Sequence, residues 1–316
     1  ADSAFGMFDH MGFEQALDLG GDQLAGMFGA MDESQLHDLG GAQLFDAAFG
    51  MEAEHFGFMD GDSAFGMFDT MGFDQAMELG GDQLAGMFGA MDAGRFQDMG
   101  KDQVFDAFNT MGFDQALGMG GENLAGMFGA MDHAQVVGFD PGQLFDAAGL
   151  MGGADLGFMD ADSAFGMFDT MGFDQALELG GEQLAGMFGA MEQDQVAGFD
   201  PGQLFDAAQA MGAADFQYMD ADSAFGMFDH MGFEQALELG GDQLAGMFGA
   251  MDAGQFQEMG KDQVFEAFEA MGFEAALGMG GDSLAGVFAT MDPGQIGGFE
   301  GIQVFDAATQ MQGDHF

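Results

Sequence analysis

The sequence predicts an all-α protein, built as an α-solenoid of 20-residue repeats with two helices in each repeat. Methionine recurs once in every repeat from Met11 to Met311, at the sixth position of about 16 repeats that begin at Gly6. The β-branched residues that favour strands are scarce, and isoleucine occurs only twice. We therefore expect one continuous repeat array over residues 1–316 and no sheet.

A longer period overlies the short one. Ala1–Phe5 and Ala161–Phe165 have the same sequence, and the repeats that follow them differ at few positions. This predicts two superunits, 1–160 and 161–316, of eight repeats each, with the second ending four residues short. A chain in phase with its own superperiod is expected of a segment of a longer tandem array.

The helix starts are marked by the sequence Asp-Pro-Gly-Gln, which occurs at 140–143, 200–203 and 292–295. Asp can cap a helix, Pro fits the first helical position, and Gln three residues after the Asp can close a capping box. Aligned on these starts, a typical repeat holds a short helix of about seven residues, Phe13–Leu19, and a longer one of about 11 residues, Gly21–Met31. Gly20 is expected to end the first helix and to cap the second.

The longer helix has one apolar stripe. Leu24, Met27, Phe28 and Met31 fall at positions i, i+3, i+4 and i+7, the spacing of a single buried helix face. Glycines beside this stripe, such as Gly26, each cost a helix up to about 1 kcal/mol relative to alanine. Their recurrence predicts that neighbouring helices approach closely there.

The short helix shows compensating volumes. Phe13 is followed three residues later by Ala16, whereas Ala93 is followed by Phe96. Such an exchange of large and small residues is typical of a packed interior. Glutamine recurs at two positions of the repeat, as at Gln15 and Gln23, and two interpretations stay open: these side chains close capping boxes, or they form a ladder between repeats.

The charge balance limits the partners. The chain has 55 Asp and Glu against 3 Lys and Arg, a formal net charge of −52. With so few cations to contact phosphates we expect no nucleic-acid partner and no electrostatic docking on anionic lipid. No apolar run approaches the 18 residues of a membrane-spanning helix, so we expect no membrane insertion.

An Asp-x-Asp-Ser sequence, similar to the start of an EF-hand loop, is the candidate calcium site. Its carboxylates are Asp60 and Asp62, Asp160 and Asp162, and Asp220 and Asp222. None of the three loops has Gly at the sixth place with Glu at the twelfth, so a true EF-hand is not expected. Two interpretations remain: the aspartates stabilise the first turns of helices by about 0.3–1 kcal/mol each, or they bind calcium weakly.

A Met-x-x-His-Met sequence at 7–11 and 227–231 offers soft ligands for copper(I) or silver(I). Methionine at this spacing also forms packing stripes, and only two repeats have the sequence, so we expect packing. The other histidines are expected at the surface or at repeat boundaries; they are His37, His55, His133 and His315.

Catalytic motifs are missing from the sequence. It has no Gly-x-Ser-x-Gly, no phosphate-binding Gly-Lys-Ser/Thr, no His-Glu-x-x-His and no cysteine. We therefore expect that the protein is not an enzyme and that it requires no cofactor.

The helix starts Asp22-Gln23-Leu24-Ala25 and Asp82-Gln83-Leu84-Ala85 resemble those of short-repeat tracts in very large bacterial surface and adhesin-like proteins. That group is similarly acidic and poor in cysteine. The resemblance implies a stalk, filament or surface layer, located outside the cell or at its surface.

Two functions are compatible with this sequence. The first is a structural protein that self-associates as a rod, fibre or extracellular spacer. The second is an acidic binding module whose solenoid face holds calcium, a glycan or a partner protein. A specific pocket should interrupt the repeat locally, and no repeat stands out in the sequence, so we expect the structural role.

Overall fold

The computed structural model describes residues 2–311, excluding the side chain of Asp2. Within that range the chain forms 29 α-helices and three 3-10 helices, and no strand. Short and long helices alternate along the chain, so that each repeat contributes one of each. This confirms the predicted α-solenoid of two-helix, 20-residue repeats.

The chain divides into two compact units, Ala1–Met151 and Gly152–Phe316. In the first unit a 3-10 helix, Ala93–Asp98, replaces one short α-helix. The α-helices of this unit are α1 (Asp2–Met11), α2 (Phe13–Ala16), α3 (Gly21–Phe28), α4 (Glu33–Leu39), α5 (Gly41–Phe49), α6 (Ala53–Phe56), α7 (Gly61–Met71), α8 (Phe73–Ala76), α9 (Gly81–Ala90), α10 (Lys101–Met111), α11 (Phe113–Leu117), α12 (Gly121–Ala130), α13 (His133–Val136) and α14 (Pro141–Leu150).

The second unit repeats this alternation. Its 3-10 helices are Asp215–Tyr218 and Leu277–Met279. Its α-helices are α15 (Gly153–Leu156), α16 (Ala161–Met171), α17 (Phe173–Ala176), α18 (Gly181–Ala190), α19 (Gln193–Val196), α20 (Pro201–Ala210), α21 (Ala221–Met231), α22 (Phe233–Ala236), α23 (Gly241–Ala250), α24 (Ala253–Met259), α25 (Lys261–Met271), α26 (Phe273–Ala276), α27 (Gly281–Thr290), α28 (Pro293–Ile296) and α29 (Gly301–Gln310).

The unit boundary precedes the 160/161 boundary that the sequence period marks. The reason lies in the packing of α15, whose principal contacts are with α18, further along the chain. A short helix thus packs mainly against the third helix that follows it in the chain, and that helix is a long one. The division between units accordingly falls before α15.

Most short helices are shorter than the expected seven residues. α2 ends at Ala16, and the chain continues as a tight turn in which the Leu19 N–H donates to the Ala16 carbonyl over 3.0 Å. α4 and α24 do reach seven residues, and the glycines that follow them, Gly40 and Gly260, have φ of 83° and 82°. Gly20, after the shorter helix, has φ of −69°. Both seven-residue helices thus end at a left-handed glycine junction, although Gly120, with φ of 92°, follows the five-residue α11.

The apolar stripe of the long helices forms the core. Phe28 and Met31, on the predicted stripe, are both buried. In the first unit the Phe88 ring lies between Phe68 and Phe96, with ring centroids 5.2 and 5.7 Å apart and both pairs edge to face. This is a favourable aromatic geometry, and it joins successive repeats through one continuous interior.

Glycines on the long helices allow the predicted close approach. A Cβ atom on Gly86 would lie 2.4 Å from the Ala53 carbonyl oxygen, and one on Gly186 would lie 2.6 Å from the Gly153 oxygen. Those oxygens belong to the short helices α6 and α15, which are the third helices before α9 and α18 respectively. A side chain at either glycine would therefore separate two repeats.

Candidate functional site

The first aspartate of each predicted calcium pair is a helix cap. Asp60 accepts a hydrogen bond through Oδ1 from the Ser63 N–H over 2.8 Å, at the start of α7. Asp160 and Asp220 make the same bond at 2.7 and 2.6 Å. Capping satisfies one of the unpaired N–H groups in the first turn, which is the simpler of the two roles expected for these residues.

The second aspartate of each pair accepts a bond from a later repeat. The donor lies 33 residues along the chain and belongs to a short helix or its 3-10 counterpart. The donors are Arg95 for Asp62, Gln195 Nε2 for Asp162 at 3.1 Å, and Gln255 Nε2 for Asp222 at 3.0 Å. The same carboxylates that were predicted to bind calcium thus connect repeats, and calcium binding by them stays a prediction.

All three Lys and Arg side chains form ion pairs between repeats. Arg95 binds Asp62, Lys101 binds Asp132, and Lys261 Nζ lies 2.8 Å from Asp292 Oδ2. Hydrogen bonding to these carboxylates raises the pKa of each cation. The same bonds from Lys101 and Lys261 are the main reason that the pKa of Asp132 and Asp292 lies below its ordinary value.

The glutamines combine the two roles that the sequence left open. Gln143 Oε1 accepts from the Asp140 N–H over 3.2 Å, which is one half of the expected capping box. At Asp292 both halves form, since its carboxylate accepts from the Gln295 N–H and its own N–H donates to Gln295 Oε1. Other glutamines also bond between repeats, but their partners are aspartates and carbonyls, as when Gln83 Nε2 donates to the Phe49 oxygen over 3.3 Å.

The Met-x-x-His-Met sequence behaves as a packing stripe in α21. Met227 and Met231 are buried, and His230 Nδ1 lies 2.9 Å from the Gly226 carbonyl oxygen within the same helix. Of the other histidines, His37 and His133 are at least partly accessible, while His55 is more enclosed. His315 lies outside the described residues.

A groove in the first unit lies along the long helix α9. Its floor is the small-residue face of α9, including Gly86 and Gly89, and its sides are α6 and α11. The groove has a volume of about 950 Å³. Carboxylates lie along it, and they are Glu52, Glu54, Asp82 and Asp114. This arrangement could hold a cationic group between two short helices.

Beside the groove, Glu52, Glu54 and His55 place their potential ligand atoms within 4.8 Å of one another. They are the one group of three such side chains found in residues 2–311, and none of the predicted aspartates belongs to it. His55 Nδ1 accepts from the Glu52 N–H over 2.8 Å, and its Nε2 lies 3.4 Å from Asp22 Oδ1. His55 therefore occupies the helix position that glutamine takes in other repeats.

The expectation that no specific pocket interrupts the repeat stays a prediction, and the sequence of this region can be compared with its counterpart in the second superunit. Aligned with the other short helices, Glu52-Ala53-Glu54-His55 is unusual, and one superunit later the corresponding residues are Gly212, Ala213, Ala214 and Asp215. That contrast was available in the sequence. The groove itself was not, because α11, which forms its second side, lies three repeats after α6 in the chain.

A comparison with known proteins finds no matching family model and no matching curated protein. Among the helices that the structure describes, none is both long and apolar enough to cross a membrane.

Proposed function

We propose that this chain is a structural repeat protein that self-associates as an extracellular or cell-surface rod, fibre, filament or layer. The observation that carries the proposal is the repetition of one set of contacts between repeats. Buried methionine and phenylalanine, close glycine contacts and hydrogen bonds between residues 31 to 34 apart recur in both units. Such an array extends by adding repeats without a new kind of contact.

The chemistry of the side chains supports a structural rather than a catalytic role. The first aspartates of the Asp-x-Asp-Ser sequences cap helices, and the three cations join repeats. The resemblance to short-repeat tracts of bacterial surface proteins is the basis for placing the protein outside the cell. The proposal assigns no nucleic-acid partner, because a charge of −52 repels phosphate.

Electron microscopy of the purified chain tests this proposal. We expect filaments or layers once added salt screens the repulsion between molecules, at roughly 0.1–1 M sodium chloride. Isolated particles at every salt and protein concentration would contradict self-association. Protease treatment of intact source cells tests the location, since a surface protein should be degraded before cytoplasmic markers are released.

The groove favours a second candidate, an acidic binding module for calcium or for a partner with a cationic group. The discriminating variant replaces Glu52, Glu54 and His55 by the residues found one superunit later, giving Glu52→Gly, Glu54→Ala and His55→Asp. Calorimetric titration with calcium, and separately with spermidine, should show heat with the wild type that this variant loses. Identical titration curves for the wild type and this variant would show that the groove is not the binding site.

A further inference from the structure

The groove along α9 corresponds to a position that a tyrosine fills in the second unit. The two regions are 100 residues apart in the sequence. α6 and α9 correspond to α15 and α18, and α11 corresponds to the 3-10 helix Asp215–Tyr218. That 3-10 helix contacts both α15 and α18. The second unit therefore shows what occupies this position when the repeats supply a side chain for it.

The Tyr218 ring lies over the start of α15. A Cβ built on Gly153 would lie 2.6 Å from Tyr218 Cγ, so the ring uses the space that this glycine leaves. The negative charge of Glu182 raises the pKa of Tyr218, and burial and a hydrogen bond from its hydroxyl to the same carboxylate add to the effect. Glu182 Oε1 also accepts from the Gly153 N–H over 3.1 Å. A phenol ring and its hydroxyl thus both have partners at this position.

In the groove, Gly118 stands in the place of Tyr218. The helix face below is correspondingly more open, since Ala85 on α9 is half-buried whereas its counterpart Ala185 on α18 is fully buried. The open space of about 950 Å³ lies within the usual range of small-molecule pockets. The first unit therefore has the position without the ring.

An aromatic residue is the commoner one at this place in the sequence. The block Leu-Ala-Gly-Met-Phe-Gly-Ala-Met occurs five times, and the residue 34 places after its leucine is aromatic in three of them. In chain order these residues are Phe58, Gly118, Phe158, Tyr218 and Gly278. The second glycine position differs from the groove in a neighbouring residue, because Gln217 takes the place of Gly57. The groove along α9 is therefore the stronger candidate for an external ring.

Two carboxylates lie at the ends of this position. Asp82 takes the place of Glu182, which accepts from the tyrosine hydroxyl in the second unit. Asp114 lies four residues before Gly118 on α11, about one helical turn away, and its counterpart in the second unit is Ala214. A ring in the groove would direct the substituent opposite its hydroxyl towards α11. The negative charge of Asp114 favours a cation there.

We propose that the groove along α9 binds a small ligand that has a phenol ring and, opposite the hydroxyl, a positive charge. The hydroxyl donates to Asp82, and the cation lies beside Asp114. Because Ala53 carries a methyl group where Gly153 has none, the ligand ring lies farther from α6 than the Tyr218 ring lies from α15. This inference deepens the second candidate function, the acidic binding module, by naming its class of ligand.

Equilibrium dialysis with tyramine and with phenethylamine tests the proposal. The two amines carry the same charge and differ in the hydroxyl, so general attraction to a chain of charge −52 affects both alike. Dialysis in about 0.1 M sodium chloride limits that attraction, because the screening length there is about 10 Å. We expect tyramine to bind a single site roughly tenfold more tightly than phenethylamine, as is typical of a hydrogen bond to a charged group.

A double variant, Ala53→Gly with Gly118→Tyr, gives the groove the glycine and the tyrosine of the second unit. Its new ring should fill the position, so we expect this variant to lose the preference for tyramine. Far-ultraviolet circular dichroism checks that helicity is kept. The matched control is Gly278→Tyr, which adds the same ring where a Cβ meets no described neighbour within 4 Å. This control should bind tyramine as the wild type does.

The converse variant is Tyr218→Gly, which opens the position in the second unit and leaves Glu182 as an acceptor. We expect the number of tyramine sites to rise from one to two. The second site should be the weaker one, because Ala214 provides no charge where the groove has Asp114. This variant also decides the matter if the double variant does not fold.

Four results would overturn the proposal. If the wild type binds both amines equally but still binds spermidine, the acidic binding module survives and the ligand class is wrong. If it binds no amine at all, spermidine included, the inference and the second candidate function fail together. If Gly278→Tyr loses the preference and the double variant keeps it, the site lies along α23. If Tyr218→Gly gains no site, the two positions are not equivalent.

Discussion

Gln255 donates a hydrogen bond from Nε2 to Asp222 Oδ1 over 3.0 Å, across 33 residues of sequence. Its Oε1 also accepts from the Asp252 N–H over 2.9 Å at the start of its own helix. One buried side chain thus caps a helix and joins two repeats. Glutamine can do both because its amide carries a donor and an acceptor.

Gln255→Glu should separate these two roles. The carboxylate can still accept from the Asp252 N–H, but it cannot donate to Asp222 and it places a like charge beside it. We expect a loss of unfolding free energy of roughly 1–3 kcal/mol, larger at low salt. Urea denaturation at two salt concentrations measures it. Gln15→Glu, at an exposed glutamine, adds the same charge and should change stability much less; equal losses would assign the effect to net charge alone.

Close packing of glycine gives a second prediction. Gly186→Ala places a Cβ 2.6 Å from the Gly153 oxygen and should destabilise the protein. Gly149→Ala, in α14, meets no described neighbour within 4 Å and should stabilise it by roughly 0.4–1 kcal/mol, because alanine restricts the unfolded chain. Thermal melts of the two variants should shift in opposite directions. Shifts of the same sign would mean that helix propensity outweighs the contact between repeats.

The ion pair between Lys261 and Asp292 predicts a pH dependence. Its hydrogen bond lowers the pKa of Asp292 from 3.8 and raises that of Lys261 from 10.5. The lowered pKa of Asp292 stabilises the fold above pH 3.8, and this stabilisation is lost as the pH falls through the folded-state pKa. The raised pKa of Lys261 stabilises the fold below pH 10.5, and that stabilisation is lost as the pH rises through the folded-state pKa. The pair should therefore act in the window between these limits.

The measurement is the difference in unfolding free energy between the wild type and Lys261→Met across pH. We expect a constant difference near neutral pH that disappears as the pH falls through the lowered folded-state pKa of Asp292. Lys261→Arg keeps a cation and should follow the wild type. A difference that persists in acid would show that the methylene chain of Lys261, rather than its charge, is responsible.

Calcium binding by the predicted aspartates can be tested against simple screening. We expect the melting temperature to rise with sodium chloride, and to rise more with calcium chloride at equal ionic strength, because calcium can bridge carboxylates. A first triple variant replaces three aspartates by asparagine, at Asp60, Asp160 and Asp220. Asparagine still caps a helix, so this variant keeps the caps and removes three charges. The second triple variant is the matched control. It replaces three exposed aspartates by asparagine at the same position of three long helices, and they are Asp46, Asp146 and Asp206.

The extra rise with calcium should be lost in the first triple variant and kept in the second. If both variants keep it, calcium acts at other carboxylates, such as those along the groove. If sodium and calcium curves coincide for the wild type at equal ionic strength, only screening remains and the calcium prediction is wrong.

Much of the fold was present in the sequence because the repeat aligns the chain with itself. The apolar stripe through Phe28 and Met31 and the capping by Asp292 follow from local spacing alone. The bond between Gln255 and Asp222 does not, because it depends on how a short helix lies against a long helix of an earlier repeat. Helix length also escaped the pattern, since α4 has seven residues and α2 only four although each is the short helix of its repeat.

The candidate site was less predictable than the fold. Asp60 was singled out by its likeness to a calcium loop, yet its carboxylate caps α7. Glu52, Glu54 and His55 differ visibly from their counterparts at 212–215, but their meeting with α9 and α11 in one groove is a tertiary relationship. Spacing within a repeat could not reveal it.

The central claim is that the 20-residue repeat, with both of its helices, is the packing unit of the chain. Deleting residues 161–220 removes three whole repeats and joins Asp160 to Ala221, which restores the local sequence around Ala161. Deleting 161–210 removes two and a half repeats and brings a short-helix sequence to the place of a long helix. Thermal unfolding followed by circular dichroism at 222 nm compares the two. We predict that the first deletion keeps the wild-type helicity per residue and a cooperative transition, and that the second loses both; equal behaviour of the two deletions would contradict the account.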